Sequence, residues 1–385
     1  MHNAIMPEKS LRSIPIIAFF IALLIKILLI VDLPIVDINK ESLLVTELLN
    51  FSFYIQWWVN ILFGVVIAGL IYYIALIILG KSQALIAASL YLVNPWSSYI
   101  EVSGSIYILD LLLFLSLFSG FLIKKNSRLS LGVILVSSLL LMYTSILNWV
   151  ILPIIIFSLY KSGLIQGKKL KLYLFLLAIF LLPLLFITFE NSQGIRNIYS
   201  NEITVFSDVG LFNTVNKYRG ETKSSNFSTI GKFVENKYTY LTEHLLLSVM
   251  RQFTPLTYFT PQFRLLGFSF SPPVFLGFLI PFFWGIVLWL RNFKKSGWLS
   301  FAAASLMLPS ILTKNSPDLA RLILFSPVIF LITSEGIIDV TSDKRKIYRI
   351  LFFLTIALVI LQLFTVLPDI PARELQRYQM VFHQK

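Results

Sequence analysis

The feature that most constrains this chain is a succession of apolar runs, each near the length of a membrane crossing, separated by short polar breaks. A hydrocarbon core of roughly 30 Å takes about 20 apolar residues as a helix. Runs of that kind fall at 14–31, 58–79, 83–99, 105–123, 129–143, 146–160, 170–188, 273–290, 297–313, 319–334 and 348–367. The stretch 129–160 is too long for one crossing, and Tyr143, Thr144 and Ser145 supply its turn, so it is counted as two. With a mean hydropathy of +0.81 and 57% hydrophobic residues, the chain has more apolar surface than a water-soluble core of this length could hide. The expected fold is all-α: a polytopic transmembrane bundle of about eleven helices, one membrane domain over residues 1–385. The first run, Ile14 to Val31, is long enough to span and is read as a retained helix.

Charge sets the orientation. With the N-terminus inside, the inner segments collect Lys9, Arg12, Lys81, Lys124, Lys125, Arg128, Lys161, Lys168, Lys169, Lys171, Arg291, Lys294, Lys295, Lys344, Arg345, Lys346 and Arg349. The outer short segments hold Lys40, Lys314, Arg321, Arg373, Arg377 and Lys385. Such an excess of basic residues marks the cytoplasmic side. The expectation is therefore a multi-pass plasma-membrane protein with its N-terminus inside and C-terminus outside. Trp57, Trp58, Trp96, Trp149, Trp284 and Trp298 fall near predicted segment ends, as interfacial rings do. The net charge of +13 comes in clusters between apolar runs and forms no continuous basic stripe, which argues against a nucleic-acid partner. Proline within the runs, as at Pro153, Pro183 and Pro281, is tolerated where neighbouring helices satisfy the freed carbonyls.

Acidic residues gather on the opposite side, at Asp32, Asp37, Glu41, Glu47, Glu101 and Asp318. A long polar loop at 190–264 joins them with Glu190, Glu202, Asp208, Glu221, Glu235 and Glu243. Chemistry is expected there. A partly desolvated carboxylate at the interface can act as a general base toward an acceptor hydroxyl, which makes Asp37, Glu41 and Glu101 candidates, with a solvated loop charge as the plainer reading of each. Asp110 lies inside an apolar run, where an ionisable group is costly and marks a functional or paired position. Lys26, also inside a run, either pairs with it or reaches the surface on its long stem. In the long loop, the amphipathic stretch from Val234 to Phe253 suggests short helices folded back onto the membrane surface. Lys237, Arg251 and above all Arg321, beside Asp318 at the start of a late helix, are placed to hold a phosphate.

Other chemistries find little support. Cysteine is absent, which excludes disulfides and thiol catalysis. His2, His244 and His383 stand far apart, so the expected metal set is none; no cofactor is called for, and a divalent metal is left open. The sequons at Asn50 and Asn226 carry little information by themselves. No internal repeat marks the two halves of a secondary transporter.

Taken together, an acidic first outer loop from Pro34 to Glu41, a small-residue helix ending in Asn94-Pro-Trp96, and Asp110 in the next helix form a layout. The long loop adds Val205-Phe-Ser-Asp208 and Glu235-Asn-Lys237, followed by Phe253-Thr-Pro255 and Leu319-Ala-Arg321. This layout resembles the GT-C membrane glycosyltransferases, in particular the protein mannosyltransferase and aminoarabinose-transferase-like group that uses polyprenyl-phosphate-sugar donors. The resemblance implies inverting sugar transfer to a glycan, lipid or protein acceptor on the outer face, among membrane lipids. It assigns an acid of the first loop, Asp37 or Glu41, as base and Lys237 and Arg321 as holders of the lipid phosphate. The alternative is a lipid-linked sugar flippase or other transporter using Lys26 and Asp110 as a charged path.

Overall fold

The computed structural model describes residues 53–102, 106–123, 127–145, 147–161, 236–259, 263–265, 268–270, 274–291, 293–313, 316–342 and 353–360, with scattered positions in 171–182 and 213–217 and at 350. Asp37, Glu41 and Lys26 lie outside the described residues.

Apolar runs become helices wherever they are described. These are α1 (Phe53–Ile78), α2 (Lys81–Val93), α3 (Pro95–Val102), α4 (Ile106–Leu122), α5 (Ser127–Thr144) and α6 (Leu147–Lys161). After the long loop's middle come α7 (Lys237–Phe253), α8 (Leu256–Phe259), α9 (Leu279–Arg291), α10 (Phe293–Ser305), α11 (Leu308–Ile311), α12 (Leu319–Leu322) and α13 (Ser326–Ser342). The stretch 127–161 divides at Ser145, where the turn residues lie. A short antiparallel hairpin, Phe263–Leu265 with Phe268–Phe270, pairs Arg264 with Ser269 and qualifies the all-α expectation.

Among the described residues one helical run, Leu319–Thr341, is long and apolar enough to cross a membrane; six shorter apolar helices accompany it. Within that run a 3-10 turn at Ile323–Phe325 separates α12 from α13. Pro327, which lacks an N–H, is accommodated in the first turn that follows. Helix α13 packs tightly on α9 because both lack a Cβ at the crossing. A methyl at Gly336 would meet the Pro281 carbonyl, and one at Gly285 would meet that of Ile332. Around this pair, α13 also packs on α2, α2 on α1, α1 on α4, and α4 on α5.

The outer apolar surface is not covered. Leu62, Phe157, Phe175, Leu182, Leu290 and Phe353 are each at least half exposed, the distribution expected when the solvent is hydrocarbon. In α7, Leu245 and Val249 pack on the core, and Ser248 and Gln252 are buried. Leu246, Met250 and Phe253 point outward at the spacing of one helix face. A helix with protein on one side and bare apolar side chains on the other carries the amphipathic character expected from Val234 to Phe253.

Candidate functional site

Three elements converge. The first is the junction after α2. Asn94 ends α2 in an extended conformation, and Pro95 opens α3 at the position where a missing N–H costs nothing. The Asn94 Oδ1 accepts the Trp96 N–H at 2.8 Å. This directs the buried indole toward α12, where its Nε1–H donates to the Leu319 carbonyl at 3.0 Å. The stop read at Asn94-Pro-Trp96 therefore also serves as a tether to the segment carrying Arg321.

The second element is the end of the long loop. Gln252 is fully buried, and its amide oxygen accepts from Ser310 Oγ, Ser316 Oγ and the Ile311 N–H while its nitrogen donates to the Met307 carbonyl. Ser310 Oγ accepts the Asp318 N–H at 2.8 Å. Helix α7 is thus bolted to the turn preceding Arg321. Thr254 and Pro255 then turn the chain into α8, whose Tyr258 ring lies against Trp96 and Phe325, with centroids 6.3 and 6.4 Å away.

The third element is α12. Asp318 caps it, its Oδ1 accepting the Ala320 N–H at 3.0 Å, while its Oδ2 pairs with the Arg321 guanidinium at 2.5 Å. The guanidinium, 5% exposed, stands over the Tyr107 ring of α4 with 5.6 Å to its centroid. Burial pushes the Asp318 carboxyl up to about 6, against the backbone N–H groups of Arg321 and Ala320, which lower it. Leu324 and Leu111, one turn beyond Arg321 and Tyr107 on their helices, begin an apolar cavity of about 60 Å³ that continues past Phe114, Val328 and Leu331. A buried cation thus heads a dry, hydrocarbon-lined space.

The remaining sequence candidates are distributed as follows. Glu101, fully buried, accepts the Tyr91 hydroxyl at 2.6 Å. It nests against Gly64, where a Cβ would stand 2.5 Å from its carboxylate. Asp110 takes the Thr144 hydroxyl and, at 3.0 Å, the Asn148 amide, which joins α4 to α5 and α6. Its partners are thus polar neutral side chains; Lys26, weighed as a counter-charge, lies outside the described residues. Arg251 is exposed on α7 beside Gln252. Lys237 opens α7, so at 1.5 Å per residue its backbone lies about 22 Å along the axis from Gln252, too far to share one phosphate with Arg321 while α7 is straight. The residues that sequence reasoning missed are Tyr107, Gln252 and Tyr258. They carry no charge and look like ordinary interfacial or loop residues, so only their neighbours single them out. No group of three or more His, Cys, Asp or Glu able to hold a metal occurs among the described residues.

No protein-family model matches the chain, and no curated protein matches it. Among solved structures the chain is similar to the oligosaccharyltransferase of Archaeoglobus fulgidus in its apo form, at 13% identity and a TM-score of 0.49. That alignment covers 94% of this chain and 56% of the other. It is also similar to the archaeal oligosaccharyltransferase AglB from Archaeoglobus fulgidus in complex with an inhibitory peptide and a dolichol-phosphate, at 14% identity, a TM-score of 0.49, and coverage of 94% and 55%. The chain spans about half the length of these structures.

Proposed function

We propose that the protein is a multi-pass membrane glycosyltransferase of the GT-C kind, which transfers a sugar from a polyprenyl-phosphate donor to an acceptor on the outer face. The observation that carries the reading is Arg321: a buried guanidinium over Tyr107 with an apolar cavity opening one helical turn below it. Such a site is complementary to an anion attached to a hydrocarbon chain. A free phosphate would gain nothing from the cavity, and a neutral lipid nothing from the cation. The half-exposed apolar side chains on several helices support a lipid setting for the whole bundle.

In the proposed reaction an acid of the first outer loop, Asp37 or Glu41, removes the proton from the acceptor hydroxyl as its oxygen attacks the anomeric carbon. The bond from that carbon to the phosphate oxygen breaks on the opposite face, inverting the centre. Arg321 neutralises the charge that builds on the departing lipid phosphate, the main electrostatic contribution in a water-poor site. Glu101 is a third candidate acid, enclosed against Gly64 and Tyr91. The reading is tested with protein in lipid nanodiscs and a panel of polyprenyl-phosphate sugars carrying labelled sugar. Transfer is expected with at least one donor and is expected to vanish in Asp37→Ala/Glu41→Ala. Transfer that survives the double change removes the first-loop base. Against the transporter alternative stands Asp110, whose carboxylate is taken up by Thr144 and Asn148 instead of lining an open path. Vesicle transport without sugar transfer would restore it.

A further inference from the structure

One polar group in the converged site has no role in holding the fold. Tyr258 is fixed on every side but one. Its N–H bonds the Pro255 carbonyl at 3.0 Å, its own carbonyl accepts the Val274 N–H at 2.8 Å, and its ring is held between Trp96 and Phe325. The side chain is 2% exposed, yet its hydroxyl has no hydrogen-bond partner among the described residues. Leaving a buried hydroxyl unsatisfied is costly, and Phe in the same place would avoid the cost. Its two ring neighbours bracket Arg321 along the chain, Trp96 through its bond to the Leu319 carbonyl and Phe325 four residues further on. Burial also pushes the phenol upward, so the group stays an O–H donor throughout the physiological range.

We infer that the Tyr258 hydroxyl is a second anchor for the ligand of Arg321, donating a hydrogen bond to a phosphate oxygen of the lipid-linked donor; this rests on the donor reading above. Arg321 supplies charge and Tyr258 a directed donor, and two anchors on different elements orient a phosphate where one cation alone leaves it free to rotate. A phosphate oxygen there gives the hydroxyl the acceptor that the described residues do not supply.

The test uses the full chain in phosphatidylcholine nanodiscs, titrated separately with a C15 prenyl phosphate and with inorganic phosphate. Tyr258→Phe is expected to weaken prenyl phosphate binding about tenfold while leaving the ligand-free Tm unchanged or slightly raised. A merely structural hydroxyl would move the Tm down, and a lowered Tm in Tyr258→Phe overturns the inference. Unchanged prenyl phosphate affinity in Tyr258→Phe, with affinity lost in Arg321→Met, overturns the role of Tyr258 and leaves the donor reading standing. A wild-type protein that binds no prenyl phosphate overturns both. Equal affinity for inorganic and prenyl phosphate overturns assignment of the anchored anion to a lipid.

Discussion

Two buried polar sites in this bundle are built in opposite ways. At Asp110 the carboxylate, the Thr144 hydroxyl and the Asn148 amide answer one another, and Thr144 and Asn148 also reach the Leu141 carbonyl. Around Arg321 the backbone is held as firmly, by Asp318, Trp96 and Gln252, but the buried hydroxyl of nearby Tyr258 has no hydrogen-bond partner among the described residues. A closed network in a low-dielectric interior joins helices; an incomplete one is tolerated where something else completes it. Burial and charge alone do not distinguish the two, because Asp110 and Arg321 are both almost fully enclosed.

The contrast breaks most visibly at Asp110. Asp110→Ala strands two buried donors and is expected to cost about 3 kcal/mol, read as a lowered midpoint in tryptophan-monitored unfolding, with prenyl phosphate affinity intact in the folded fraction. Arg321→Met should instead weaken prenyl phosphate binding about 100-fold through loss of a charge-assisted contact worth roughly 2–3 kcal/mol, on top of a stability cost from the unpaired Asp318 carboxylate. If Arg321→Met instead unfolds the protein without changing affinity, Arg321 belongs with Asp110 as a structural group. Gly64→Ala forces a Cβ to within 2.5 Å of the Glu101 carboxylate, and about 1–3 kcal/mol of destabilisation is expected from the displaced Tyr91–Glu101 pair. Asp110→Asn keeps an oxygen acceptor and should cost only about 1 kcal/mol, which separates the hydrogen bonds from the charge.

The smallest effect is the pH response of Asp318. Its carboxyl sits at about 6 in the folded protein against 3.8 ordinarily, so the folded state favours the protonated form. The stability this contributes is fully present below 3.8 and is lost as pH rises through 6. The unfolding midpoint should therefore fall modestly between pH 5 and pH 7.5, and Asp318→Asn should flatten that slope.

Much of the helical layout was legible as sequence. The break at Tyr143 to Ser145, the stop at Asn94-Pro95 and the amphipathic helix ending at Phe253 each follow from a local rule: a turn in an overlong apolar run, a proline after a helix, a polar stripe at helical spacing. Arg321 was legible too, because a cation opening a late apolar helix beside an acid is conspicuous. Lys237 sits at the far end of α7 from Gln252, a separation that the straight run of that helix sets.

What the amino-acid order determined by itself was the apolar character of the helices, their ends and the charged candidates, because periodicity, proline and charge act over a few residues. Tertiary structure decided which candidates meet. It closed Asp110 with Thr144 and Asn148, enclosed Glu101 against Gly64, set Tyr107 under Arg321, and brought Trp96 and Tyr258 against the segment that carries Arg321, all from stretches far apart in the chain. The state of satisfaction of a hydroxyl depends on what every neighbouring segment offers it, and no local pattern carries that information.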